Sequence, residues 1–232
     1  MSERFFLETP PRDGRAVLTG DEARHLARVL RAAVGDEVRV FDGAGGEWVA
    51  RVGSIGRDEV TLEVGPRLPT AAAAGGVRLT LAVALPKGER QKWLVEKLTE
   101  LGATRLVPLV TSRGVAEATP AALERLRRGV IEACKQCGRT TLMEIGMPLT
   151  VAEACAPLPA GGRAILCDPG APPLDASALR AAAAVVGLVG PEGGFTSEEI
   201  AAALAAGASR AGLGPHVLRV ETAAMALAAR FA

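Results

Sequence analysis

Asparagine and tyrosine are absent from this chain, histidine occurs twice, and aromatic residues make up only 3%. With histidines at positions 25 and 216 alone, a Ser/His/Asp triad or a histidine-rich metal site has little to be built from. No run of 18 apolar residues occurs, which excludes a membrane-spanning helix. The start, Met1 to Arg15, lacks the apolar core of a signal peptide, so a cytoplasmic protein is expected. Four cysteines, at 134, 137, 155 and 167, fit reduced thiols better than a disulfide framework. The GxxxxGK[ST] phosphate loop, the GxGxxG dinucleotide fingerprint and the GxSxG nucleophile elbow are all missing. A formal net charge of +1 gives no global pull toward nucleic acid, so any basic patch must be local. The lack of Asn, with far more Arg than Lys, fits a GC-rich genome or a hot habitat.

What is present is ordinary globular material: 232 residues, 49% apolar and 23% charged. Residues 1–70 read as mostly β, with strands around 16–18, 37–41, 47–52 and 59–64 separated by Asp/Gly-rich turns. One helix, Asp21 to Arg31, interrupts them, its apolar stripe formed by Ala23, Leu26, Ala27 and Leu30. Short strands with one helix suggest a small barrel. Residues 71–76, an Ala/Gly-rich break, are expected to be a linker. From 77 to 232 strands alternate with helices, which implies an α/β domain with a parallel sheet covered on both faces. Between Lys87 and Arg139 there are 11 basic and 6 acidic residues, a local excess of +5. That excess suits either a solvated helix face or a phosphate-binding one.

Two glycine-bearing corners stand out. The first is VGLVGPEGGFTSEEI, from Val186 to Ile200: a buried strand, a Gly190-Pro191-Glu192-Gly193-Gly194 turn, and a helix with the Thr-x-x-Glu capping box of Thr196 and Glu199. The second is LGPHVLRVETA, from Leu213 to Ala223, leading into an Ala-rich final helix read as Val217 to Phe231. Open α/β sheets place ligands at the carboxyl ends of their strands. If the two corners pack together, main-chain groups covered by Leu213 and Leu218 would line a pocket suited to a purine ring. The pair Cys134-x-x-Cys137 lacks a second pair, and with Leu123, Leu126 and Val130 it continues one apolar helix stripe. Both cysteines are therefore expected in the core, and no metal is expected. Arg128, Glu132, Lys135 and Arg139, with Gln136 alongside, form the other face of that helix.

Taken together, GPEGGFTSEE and LGPHVLRVETAA resemble the RsmE family within the SPOUT superfamily of trefoil-knot methyltransferases. Arg4-Phe5-Phe6, His25-Leu26-x-x-Val29-Leu30-Arg31, Lys87, Lys92 and Lys97-Leu98-x-Glu100-Leu101-Gly102 extend the likeness. So do Pro108, Ser112-Arg113 and Glu132-Ala133-x-x-Gln136-x-x-Arg139. The departures are Gly212 ahead of Leu213-Gly214, where the family usually has serine, and Val217, where isoleucine is common. The resemblance implies a PUA-like β-barrel followed by a SPOUT α/β-knot domain, acting as a homodimer. It also implies methylation of uracil N3 at uridine 1498, by the family's rRNA numbering, in 16S ribosomal RNA of the small subunit, with S-adenosylmethionine as donor and neither metal nor membrane involved.

By that resemblance the cofactor is held by Leu166, Gly190, Pro191, Glu192, Gly193 and Gly194, and by Leu213, Gly214, Val217, Leu218, Thr222 and Ala223. Uracil N3 is a weakly acidic imide that must lose its proton, so a base or a cation facing the uracil oxygens would assist. Arg113 is the first cationic candidate and Arg139, from a partner helix, the second. Glu192 is either the base or a cap on nearby N–H groups. Arg4, Arg24, His25, Arg28, Arg31, Lys87, Lys92 and Gln136 would contact RNA, chiefly its backbone. The competing expectations are another SPOUT enzyme acting on ribose hydroxyls of tRNA or rRNA, and a non-catalytic RNA-binding ribosome-assembly factor.

Overall fold

The computed structural model describes residues 3–69, 77–155 and 158–232, so the expected linker at 71–76 lies outside the described residues. Two compact units are present. One comprises Met1–Ala72 with Cys134–Leu142, the other Ala73–Ala133 with Met143–Ala232.

The first unit contains β1 (Arg4–Phe6), β2 (Arg15–Thr19), α1 (Gly20–Arg24), β3 (Glu37–Phe41), β4 (Glu47–Ile55) and β5 (Glu59–Arg67). They form one five-stranded sheet in the order β1-β3-β4-β5-β2. Alternation along β2 and β3 sends Ala16, Leu18, Val38 and Val40 inward, where they meet Phe5, Leu26 and Leu62. The β4–β5 ladder slips between Trp48 and Ala50 and again between Val52 and Ser54. Such irregularities bend a strand and curl its sheet.

The helix expected over 21–31 forms differently. After α1 the chain widens into a π-helical turn, His25–Val29, and Arg31 then takes a left-handed φ of 53°. The wider turn advances the chain by less than α-geometry per residue, so the stripe loses register beyond Ala27, which still packs against the core. Leu30 consequently faces outward instead of continuing it.

Arg4, expected to contact RNA, is tied into the first unit. Its side chain is 10% exposed, pairs with Glu47 at 2.9 Å, and lies 4.6 Å from the centre of the Phe41 ring. It also donates to the Cys134 carbonyl. These bonds, with a third to the Arg139 carbonyl at 3.4 Å, make Arg4 a strut inside the first unit and use three of its five N–H donors.

The second unit contains β6 (Arg78–Val83), α2 (Arg90–Glu100), β7 (Arg105–Val110), α3 (Pro120–Cys137, whose last turn falls in the first unit), β8 (Glu144–Ile145) and β9 (Leu149–Thr150). It continues with α4 (Val151–Cys155), β10 (Arg163–Cys167), α5 (Ala176–Leu179), β11 (Ala184–Val189), α6 (Ser197–Ala205), β12 (Ser209–Ala211) and α7 (Val220–Ala228). Every pairing in its sheet is parallel, in the order β12-β10-β11-β6-β7-β8 with β9 also beside β7. Strand β11 is buried along its whole length, as a central strand covered on both faces must be.

The final helix packs against α2, β6 and β11. A Cβ at Gly187 would overlap Leu227 Cδ2, so any larger residue in the middle of β11 would force the buried Leu227 side chain of α7 to shift. Helix α7 begins at Val220, not Val217, because Arg219 is still extended with ψ 156°. On α3, Leu123, Leu126, Val130 and Cys134 are buried as the stripe requires, and burial raises the Cys134 thiol to about 11. Cys137, at the end of the helix, is exposed, which overturns its expected place in the core.

Candidate cofactor and catalytic site

The carboxyl ends of β10, β11 and β12 open on one cavity of about 200 Å³. Each strand supplies a corner: Cys167 to Pro169 after β10, Val189 to Glu192 with Gly194 after β11, and Leu213 to Leu218 after β12. The two glycine-bearing corners read from the sequence thus meet across a single space, closed from below by Val220 and Ala223 of α7. Three residues expected there are not part of the lining. Leu166 is fully buried one position short of the strand end, Thr222 stands outside the lining, and so does Gly193. A Cβ at Gly193 would instead meet Arg113 Cδ at 3.2 Å, so a larger residue there would displace Arg113 before it filled the cavity.

The first corner is built by local bonds. Gly194 takes a φ of 70° and donates its N–H to the Pro191 carbonyl at 2.8 Å, closing the turn. Thr196 then caps α6 through its hydroxyl, while Glu199 Oε2 accepts from the Thr196 N–H at 2.8 Å. The other oxygen of Glu199 accepts from the Ser112 N–H at 2.7 Å. Ser112 belongs to the turn that carries Arg113, and Arg113 donates to the Gly193 carbonyl at 2.6 Å. Nearby, the Glu198 carboxyl is held below the usual range first by its own N–H, then by the Thr196 hydroxyl, with the Arg113 charge adding to the effect.

On the other side of the corner, Glu192 lines the cavity and accepts from Arg90 at 3.1 Å. Arg90 lies 3.8 Å from Glu221, a carboxylate 4% exposed at the start of α7 whose Oε2 has no hydrogen-bond partner. One cation from α2 therefore serves two carboxylates, one at the cavity and one buried behind it. After β10, burial opposes ionisation of Asp168, yet the Gly170 N–H and Arg210 hold its carboxyl below the usual range. Both oxygens of Asp168 are engaged by these partners. Burial drives the neighbouring Cys167 thiol up to about 12, so it remains protonated at the cavity edge.

Arg139 belongs to the first unit, where burial lowers the pKa of its guanidinium. Arg24, Arg28 and Arg31 are exposed, His25 is half-buried with its ring edge-on to Phe5, and Gln136 is exposed in the same unit. Lys87 and Lys92 are exposed in the second unit.

Asp168, Phe195, Arg90 and Glu221 were not singled out from the sequence. Asp168 follows an apolar strand directly, so the rule that ligands sit at carboxyl strand ends would have pointed to it. Arg90 and Glu221 carry no such signal, because they meet only through the packing of α7 beside α2. Among the described residues, no group of three or more His, Cys, Asp or Glu could hold a metal ion. No helix there is long and apolar enough to cross a membrane.

Corners of main-chain groups and apolar side chains at the end of a parallel sheet make a ligand pocket of the kind open α/β folds carry. The chain's relatives show that this one belongs to a SPOUT-type RNA methyltransferase. A profile of the RNA methyltransferase domain matches residues 75–232, and one of the RNA methyltransferase PUA domain matches residues 18–65. The chain belongs to the ribosomal RNA small subunit methyltransferase E family. The Synechocystis member is 36% identical over 91% of this chain and 70% of its own length. The Rickettsia conorii member is 30% identical over 90% and 85%. Among solved structures, the Neisseria gonorrhoeae enzyme of that name, bound to S-adenosyl methionine, superposes with a TM-score of 0.87 at 29% identity, covering 99% of this chain and 96% of its own. A methyltransferase from Legionella pneumophila in complex with its bound cofactor SAM gives 0.85 at 26%, covering 98% and 96%.

Proposed function

We propose that this chain transfers a methyl group from S-adenosylmethionine to N3 of one uridine in 16S ribosomal RNA of the small subunit, at the site the family numbers 1498. The observation that carries the proposal is the pairing of a cation and a carboxylate on a single corner. Arg113 is bound to the Gly193 carbonyl, while Glu192 lines the cavity beside it. The lining fits the donor: Leu213 and Leu218 offer apolar cover for a purine, and the backbone of 190–192, Gly194 and 213–214 offers hydrogen-bonding groups.

When bound, S-adenosylmethionine supplies a methyl group already activated by its sulfonium. The protein's task is then to hold uracil in line and to manage one proton and one developing charge. Arg113 stabilises the negative charge that spreads onto the uracil oxygens as N3 is deprotonated. Glu192 accepts the proton directly or through water, with Arg90 fixing its orientation. The target base leaves its stack to reach this rim. Arg24, Arg28 and Arg31 of the PUA-like unit, with His25 and Gln136, grip the RNA, as do Lys87 and Lys92 of the SPOUT domain. These contacts set register on the backbone without reading bases. The reading includes a homodimer, with Arg139 supplied from a partner helix, a C-terminal segment threaded through the knot, and action in the cytoplasm, where ribosomal RNA is assembled.

Calorimetric titration with S-adenosylhomocysteine tests the pocket separately from the chemistry. Binding at one site per chain is expected, and it should be abolished when Ala223 is enlarged to phenylalanine at the cavity wall. Heat of binding that is absent from the parent protein, or retained in full by the variant, would remove the cofactor from this cavity.

A further inference from the structure

We infer that Glu199 is a positioning residue for methyl transfer, acting through Arg113 and not only as the cap of α6. This rests on the reading of Arg113 given above. Helix capping explains only half of what the side chain does. One carboxylate oxygen closes the capping box with the Thr196 N–H at 2.8 Å, and the other takes the Ser112 N–H at 2.7 Å. Residues 112 and 199 are 87 positions apart, so the second bond ties the turn after β7 to the start of α6. Arg113, the next residue, completes a closed circuit through its 2.6 Å bond to the Gly193 carbonyl.

The circuit has a chemical consequence. Arg113 is exposed, and a long exposed side chain ordinarily spreads over several rotamers. Here its backbone is pinned one residue upstream and its guanidinium is pinned at the tip. Those two points leave the cation at the corner of the cavity before any RNA arrives, which is the preorganisation that electrostatic stabilisation of a transition state requires. Charge matters at Glu199 because both partners are N–H donors. A glutamine amide presents one acceptor and one donor, so it can satisfy either Thr196 or Ser112 but must set an N–H against the other.

The comparison of Glu199→Gln with Thr196→Ala separates positioning from capping. Thr196→Ala removes the hydroxyl that accepts the Glu199 N–H, and so weakens the cap, but keeps both carboxylate bonds. In Glu199→Gln, kcat should fall about tenfold or more, since small misplacements of a catalytic group are costly. Affinity for S-adenosylhomocysteine should stay near that of the parent. In Thr196→Ala, kcat should be unchanged although thermal stability drops. The Arg113 side-chain Nε–H resonance gives a readout independent of activity: dispersed in the parent and in Thr196→Ala, collapsed to the solvated-arginine position in Glu199→Gln. A normal kcat with an unmoved Arg113 resonance in Glu199→Gln overturns the inference. So does a loss of kcat and cofactor affinity shared equally by both variants, which would make Glu199 a cap alone. A parent protein that methylates no RNA sinks the functional reading instead, and the resonance then decides the positioning claim by itself.

Discussion

Replacing Arg113 by alanine is expected to lower kcat by roughly 10²–10³-fold, the range found when one donor to a developing oxyanion is removed. Affinity for S-adenosylhomocysteine should hardly change, because Arg113 meets the cofactor corner only at the Gly193 carbonyl and does not line the cavity. Lysine at 113 should recover part of the loss. It restores a charge but not the planar fork that can hold the Gly193 carbonyl and a uracil oxygen together. Single-turnover kinetics with saturating RNA would check both variants. A kcat within a few-fold of the parent for the alanine variant would take Arg113 out of the chemistry and leave Glu192 and Arg139 to account for it.

The second large effect concerns stability. Arg90→Ala should cost about 2–4 kcal/mol, because it strands the Glu221 carboxylate in an apolar setting. The lower end reflects the 38% exposure of the Arg90 side chain, which lets water share in the interaction. Glu221→Gln in the Arg90→Ala background should recover most of that loss by removing the unpaired charge. The urea midpoints of the four proteins in this cycle report the coupling. If Arg90→Ala shifts stability by less than about 0.5 kcal/mol, as an ordinary surface change would, Glu221 is finding another partner.

The parts of the fold legible beforehand were those with strong local signals. Apolar β11 running into Gly190 and Pro191, with Thr196 and Glu199 spaced as a capping box, announced strand, corner and helix from adjacent residues alone. The meeting of that corner with Leu213 to Leu218 was also readable, since each follows an apolar strand and ligands gather at such ends. Other features depended on partners far away in sequence. The bonds of Arg4 to Glu47 and to the Cys134 carbonyl are one case, since nothing near it in sequence announces either partner. Arg90 and Glu221 are separated by most of the second unit, and their contact exists only once α7 lies beside α2. The π-helical turn at His25–Val29 defeated the helical stripe because one extra residue per turn shifts every later side chain. Pattern speaks for faces, whereas ion pairs between distant segments are visible only after folding.

Nucleoside analysis of 16S ribosomal RNA, after incubation with the purified protein and isotopically labelled S-adenosylmethionine, tests the central claim most directly. The account predicts one labelled 3-methyluridine per RNA molecule, formed roughly 10²–10³-fold more slowly when Arg113 is alanine. Label found in a ribose methyl group, or no label in any RNA despite bound cofactor, would contradict it.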